Sequence, residues 1–181
     1  MGGARFAQKL KPKKKEDLFA SVALNRPGAL DAKIQLSNGD EVSAADAYVL
    51  RKEGKIPVEF LHDDLKPLLS ETYGIIAYQE QIMKIIQTLL GFSEEESDAI
   101  RSAISDKNPK GFEEIKQRLY LLKERGWTDE QCFSFFQQIE SFSRYSFNLS
   151  HSAGYGTIAY VTAYLKHKYK LQWWASVLSS S

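Results

Sequence analysis

The 181-residue chain carries 24 lysines and arginines against 23 aspartates and glutamates, so its formal charge of +1 gives no global signature for nucleic acid, and local charge placement has to carry any such role. The length suits one domain that buries a core without staples, and the single cysteine, Cys132 among Phe133, Phe135 and Phe136, reads as a buried thiol in a reducing compartment and excludes a disulfide framework. No secretory signal is visible and no apolar run approaches the length of a membrane span, so a cytoplasmic location without a membrane partner is expected.

Residues 1–7 read as a linker or an artificial start, and residues 8–181 as one C-terminally truncated domain without repeats or low-complexity tracts. The basic run Leu10–Lys15, LKPKKK, precedes a short helix over residues 16–24 that Asn25-Arg26-Pro27-Gly28 should end. Such a run is either a solvated face or a contact for a phosphate backbone. Residues 29–42 look irregular except for the turn signal Ser37-Asn38-Gly39-Asp40, which predicts a small hairpin between residues 33–36 and 41–42. Ser43 can cap a helix to about Glu53, with Gly54 as its left-handed stop. Leu65, Leu68 and Leu69 form one side of a short helix after His62-Asp63-Asp64, where the histidine beside two acids reads better as a charged helix start than as a metal site.

Gly74–Tyr78 is a short extended apolar run leading into a strongly patterned helix, in which Ile82, Ile85, Ile86, Leu89 and Leu90 fall on one face and Gly91 ends the pattern. Ser93-Glu94-Glu95-Glu96 predicts a capping box for a helix with Ala99, Ile100, Ala103 and Ile104 inward and Arg101 at the border of that stripe. One helix is expected over residues 112–125, and another after the capping pattern Thr128–Gln131, with Cys132, Phe135, Phe136, Ile139 and Phe142 inward. A long helix from about Ser150 to Lys170 and a short one over residues 172–178 complete an overwhelmingly helical chain.

No nucleophile with a base, paired carboxylates, metal-ligand set, phosphate loop or dinucleotide glycine fingerprint stands out as an enzyme site. The remaining candidates are phosphate binders. Arg101 and Lys107 can make charge-assisted contacts if they share a cleft. At Ser150-His151-Ser152-Ala153-Gly154-Tyr155 a helix start should leave backbone N–H groups beside His151 and Tyr155. That start is either an anion seat or a capped helix whose small residues let it pack closely, and Tyr155 either packs on the Phe147 loop or borders a nucleotide.

Three motifs in order carry a resemblance: Asp17–Leu24 with Arg26-Pro27-Gly28; Thr72–Met83, reading TYGIIAYQEQIM; and Phe147-Asn148 with Ser150-His151-Ser152-Ala153 and Tyr155. Together they resemble the alpha subunit of bacterial DNA polymerase III, the C-family replicative polymerase. Tyr164-Leu165-Lys166 and residues 173–178 also fit, in the manner of phage-like members. The resemblance implies an all-α fingers domain with a small β-hairpin near residues 33–42. It implies the incoming deoxynucleoside triphosphate, primer-template DNA, the palm and thumb domains and, through regions outside this chain, a sliding clamp as partners.

In that family the palm aspartates bind two Mg2+ ions upstream of the segment seen here, so the chain alone is not expected to polymerise. Carried over by position, Arg101 matches the first of two arginines that reach the triphosphate, with Ser102 in place of the second, and Lys107 matches one lysine of a basic run otherwise changed to Asp106 and Asn108. Ser150, His151 and Tyr155 match the motif near the sugar. The loop departs from the family pattern at Arg144, Ser146, Leu149 and Gly154, and the Arg26-Pro27-Gly28 turn departs at Ala29, which stands for a second proline. The alternative is a non-catalytic helical module derived from this fold that binds DNA or a protein.

Overall fold

The computed structural model describes residues 2–36, 39–106, 108–142 and 147–180, and side chains from residue 5 onward. The first residues, which the sequence suggests are a linker, form helix α1 (Gly2–Leu10), whose Phe6 and Leu10 stand one helical turn apart and enter the core. Helix α2 (Lys15–Leu24) follows, and α3 (Pro27–Asp31) occupies part of the stretch expected to be irregular. Pro27 is the reason for the difference: at a first helical position it loses no hydrogen bond and has its φ preset, so the residue that ends α2 also starts α3. The expected hairpin is present as β1 (Lys33–Gln35) and β2 (Glu41–Ser43), antiparallel with Ile34 opposite Val42. The turn residues Ser37 and Asn38 lie outside the described residues.

Ser43 caps α4 (Ala44–Lys52) by accepting from the Asp46 N–H at 3.0 Å. After a 3-10 turn at Asp63–Leu65 come α5 (Lys66–Leu69) and a second 3-10 turn at Ser70–Thr72. His62 caps the first of these turns through Nδ1 and stacks on Trp127 with ring centroids 4.6 Å apart, which accounts for it without a metal.

Helix α6 (Gln79–Leu90) is the centre of the molecule: all five residues of its predicted stripe are buried. At about 1.5–3 kcal/mol for each fully buried aliphatic side chain, this face is a major share of the driving force. Helix α7 (Glu94–Ser105) has the predicted capping box, with Ser93 Oγ accepting from Glu96 N–H and Glu96 returning to Ser93 N–H at 2.7 Å. Its inward residues are Ser97, Ile100 and Ile104, whereas Ala99 faces out.

The single helix expected over residues 112–125 is two, α8 (Pro109–Gln117) and α9 (Tyr120–Glu124). At the break Arg118 and Leu119 make three-residue backbone turns, and the Arg118 guanidinium reaches back to Gly91 O, Glu96 and the Phe92 ring while Ile115 and Leu122 both stay buried. Helix α10 (Asp129–Phe142) buries Cys132, Phe135, Ile139 and Phe142, with Phe136 half-buried; burial pushes the Cys132 thiol pKa up. The last two helices are α11 (Leu149–Lys168) and α12 (Lys170–Ser179).

Candidate functional site

The site is organised by the segment Thr72–Gln81, in which the Thr72, Gln79, Glu80 and Gln81 side chains each make structural hydrogen bonds. Thr72 Oγ1 donates to Ile75 O at 2.6 Å and accepts from Gln81 Nε2 at 2.8 Å, while Gln81 Oε1 accepts the Ala77 and Tyr78 N–H groups at 2.8 and 3.0 Å. Gln81 thereby caps α6 from inside the helix, doing what the Tyr78 side chain at the cap cannot. The two residues between are turned outward onto other helices. Gln79 N–H donates to Phe147 O at 2.9 Å, and Gln79 Nε2 donates to Ser105 Oγ at 2.8 Å, whose hydroxyl donates to Arg101 O at 2.9 Å. The Glu80 carboxylate accepts from Asn148 Nδ2 and from Leu149 N–H, both at 2.8 Å. One turn of α6 thus ties the end of α7, which carries Arg101, to the beginning of α11, which carries Ser150, His151 and Tyr155.

This geometry changes what the α11 start can bind. The cap is Asn148, two residues earlier than Ser150, and its Oδ1 accepts the His151 N–H at 2.9 Å. With Leu149 N–H held by Glu80, a carboxylate of this chain stands where the sequence suggested a phosphate, taking one of the free donors and offsetting the positive end of the helix dipole. The side chains remain available. Ser150, His151 and Tyr155 are all exposed, and four groups form a row: the Arg26 guanidinium 4.0 Å from the Phe147 ring centroid, Phe147 edge-on to His151 at 5.2 Å, and His151 tilted against Tyr155 at 4.5 Å. Burial lowers the Arg26 pKa from its usual high value.

The small residues of the motif divide between two tasks. Ser152 and Gly156, one turn apart, are buried against α2, whose Phe19 and Leu18 leave no room for a side chain at Gly156. The packing reading of the small residues therefore holds on one face of α11, while the face bearing Ser150, His151 and Tyr155 is free of it. Arg101 is partly exposed and engages Asp98 through Nε at 2.8 Å; among the described residues its Nη atoms have no hydrogen-bond partner. Ser102, in the position of the second family arginine, is exposed, and Lys107 lies outside the described residues.

Sequence reasoning gave no role to Gln79, Glu80, Asn148 or Arg26. The available signal was three consecutive polar residues, Gln79-Glu80-Gln81, opening an otherwise apolar helix without a conventional cap. Among the described residues no group of three or more His, Cys, Asp or Glu is arranged to hold a metal ion.

Comparison with known proteins joins these features to a family. A model of the bacterial DNA polymerase III alpha subunit finger domain matches residues 2–124, which run from α1 to the end of α9. The DNA polymerase III subunit alpha of Aquifex aeolicus is 40% identical over 180 residues, covering 99% of this chain and 15% of that protein. Those of Thermus aquaticus and Helicobacter pylori are 38% and 37% identical over 176 and 174 residues, covering 94% and 96% of this chain and 13% and 14% of theirs. The chain thus spans about one seventh of the length of these relatives, and their matched stretches include the α11 motif that lies beyond the family model. By both comparisons the chain belongs to the bacterial DNA polymerase III alpha subunit family, as its finger domain.

Proposed function

We propose that this chain forms the wall of a polymerase active site that receives the incoming deoxynucleoside triphosphate opposite the template, with Arg101 and Lys107 on the triphosphate and Ser150, His151 and Tyr155 beside the sugar. The observation that carries the reading is the Gln79–Glu80 joint, which holds the Arg101 helix and the His151 helix on either side of one α6 turn. Pre-positioned cations and a rigid aromatic edge suit a ligand with a charged tail and a flat head. Mg2+ would be held by carboxylates of a palm domain outside this chain and would activate the primer hydroxyl and steady the leaving pyrophosphate. The residues seen here would orient nucleotide and template, and the isolated chain would not polymerise.

Tyr160, Val161, Tyr164 and Leu165 on α11 and Leu171, Trp174 and Leu178 on α12 are exposed, an apolar face larger than a free-standing domain normally leaves in water. That face supports reading the chain as a domain packed against the palm or thumb of the same polypeptide, with any sliding-clamp contact made elsewhere.

The deciding experiment is steady-state nucleotide incorporation by the full-length polymerase carrying Arg101→Ala. Loss of charge-assisted contacts worth about 1.5–3 kcal/mol raises the nucleotide KM by about 10- to 150-fold with primer-template saturating. An unchanged KM removes Arg101 from the site. Substituting Ser150 or His151 shifts the ratio of deoxyribonucleotide to ribonucleotide incorporation; a constant ratio removes both from the sugar.

A further inference from the structure

The basic run at the start of the chain has a use that the nucleotide site does not absorb. Residues Lys11, Lys13, Lys14 and Lys15 are exposed around the link between α1 and α2, and the first three share with Lys55 a notch of about 610 Å3 that also includes Asp17, Lys52, Glu53 and Tyr73. The floor of this notch is already neutralised. Lys52 Nζ lies 2.9 Å from Asp17 Oδ2 and donates to Leu10 O and Lys11 O, while Glu53 pairs with Lys55 at 2.6 Å and with Lys11 at 3.4 Å. The rim is not neutralised. Lys15 reaches only its neighbour Glu16, at 3.9 Å, Lys14 leans over the Tyr73 ring at 5.8 Å, and Lys13 has no ion pair among the described residues.

A solvated lysine face is the ordinary alternative. The first turn of α2 carries two acids, Glu16 and Asp17, but Asp17 is buried and already holds Lys52 and the Lys13 and Lys14 N–H groups, so Glu16 alone offsets three exposed cations at a helix end whose dipole is itself positive.

The direction of α2 gives the cluster its meaning. Arg26, just beyond the end of α2, lies on Phe147 at the start of α11, whereas Leu18 and Phe19 lie against Gly156 further along, so the two helices run antiparallel. The lysines therefore stand one length of the ten-residue α2 from the Phe147–His151 row, about 15 Å at the helical rise and about four nucleotides at duplex phosphate spacing.

We propose that Lys13, Lys14 and Lys15, with Lys11 and Lys55, which share the single carboxylate Glu53, beside them, dock the phosphodiester backbone of primer-template DNA about four nucleotides from the nucleotide position. The proposal rests on the functional reading above for its ligand. The contact is sequence-independent and salt-sensitive, because it is made to phosphates alone.

The test is equilibrium binding of labelled primer-template by the full-length polymerase without nucleotide, across about 50 to 200 mM salt, comparing wild type with Lys13→Ala/Lys14→Ala/Lys15→Ala and with arginine at the same three positions. The alanine variant weakens binding alike for different DNA sequences and reduces the slope of log affinity against log salt by about 2 to 3, since each duplex phosphate contact contributes about 0.9. The arginine variant, which keeps the charges, keeps the slope. A slope retained by the alanine variant, or lost by the arginine variant as well, overturns the proposal. Failure here is separable from failure of the nucleotide reading: the slope is measured without nucleotide, and the Arg101→Ala KM is measured at saturating DNA.

Discussion

Two glycines two residues apart on α11 respond to the same substitution with opposite signs. An alanine Cβ at Gly154 meets nothing within 4 Å, so Gly154→Ala simply gains the difference in helix propensity, a stabilisation of about 0.8–1.0 kcal/mol. The same gain applies at Gly156, but there the Cβ sits 2.7 Å from Phe19 Cδ1, 3.2 Å from Phe19 Cε1 and 3.4 Å from the Leu18 carbonyl carbon. The Leu18 main chain, already in contact with the Cβ, cannot rotate aside as a side chain can, so the displacement falls on the half-buried Phe19 ring. An overpacking cost of about 1–3 kcal/mol then exceeds the propensity gain, and Gly156→Ala loses up to about 2 kcal/mol net. For a chain of this size 1 kcal/mol corresponds to about 2–4 °C, so the melting temperatures of the two variants diverge by several degrees in opposite directions. Urea denaturation and thermal melts followed by far-ultraviolet circular dichroism measure both, and Phe19→Leu combined with Gly156→Ala recovers part of the loss through coupling of neighbours. If Gly156→Ala stabilises as much as Gly154→Ala, the close approach of α2 and α11 is wrong, and with it the antiparallel alignment that relates the lysine cluster to His151.

Three further outcomes follow from individual contacts. Lys52→Met leaves the fully buried Asp17 without its cation and costs about 3–5 kcal/mol in denaturant unfolding, part of which Asp17→Asn in the same chain restores; equal stability of Lys52→Met and wild type would show that the pair contributes nothing. Burial by itself would raise the Asp17 pKa, but hydrogen bonds from Lys13 N–H and Lys52 and the Lys52 charge hold it below the usual carboxylate value. Its stabilisation is therefore complete above the unfolded carboxylate pKa and is lost as pH falls through the lower folded value, and Asp17→Asn flattens the acid side of the stability profile measured by urea titration at each pH. Glu80→Ala frees the Leu149 N–H and Asn148, so hydrogen exchange accelerates in the first turn of α11 while α6 keeps its protection; unchanged exchange there would mean that Asn148 holds the cap alone.

How far the sequence could be read depended on the range of the interaction. The α6 stripe, the α7 and α10 caps and the hairpin depend on residues a few positions apart, and all were legible. Local patterns misled where a distant partner intervened: Arg118, drawn to Gly91 and Glu96, accompanies the break in the expected 112–125 helix. Residues 1–7 read as a linker because the partner of Phe6, Leu10, lies one turn beyond them, and the two join only in a core that other segments supply.

The sequence by itself determined the helical class and the family motifs and named the candidate site residues, because propensity, periodicity and motif spacing are properties of the chain. The tertiary structure alone decided what the helix start at Asn148 holds. Its free donors were predictable, but the carboxylate that takes one of them comes from Glu80, 69 positions away from Leu149, and no local pattern encodes a partner at that separation. It likewise decided that Ser152 and Gly156 face α2 while Ser150, His151 and Tyr155 face outward, since only the packed neighbour distinguishes the two sides of a helix with little amphipathic pattern of its own.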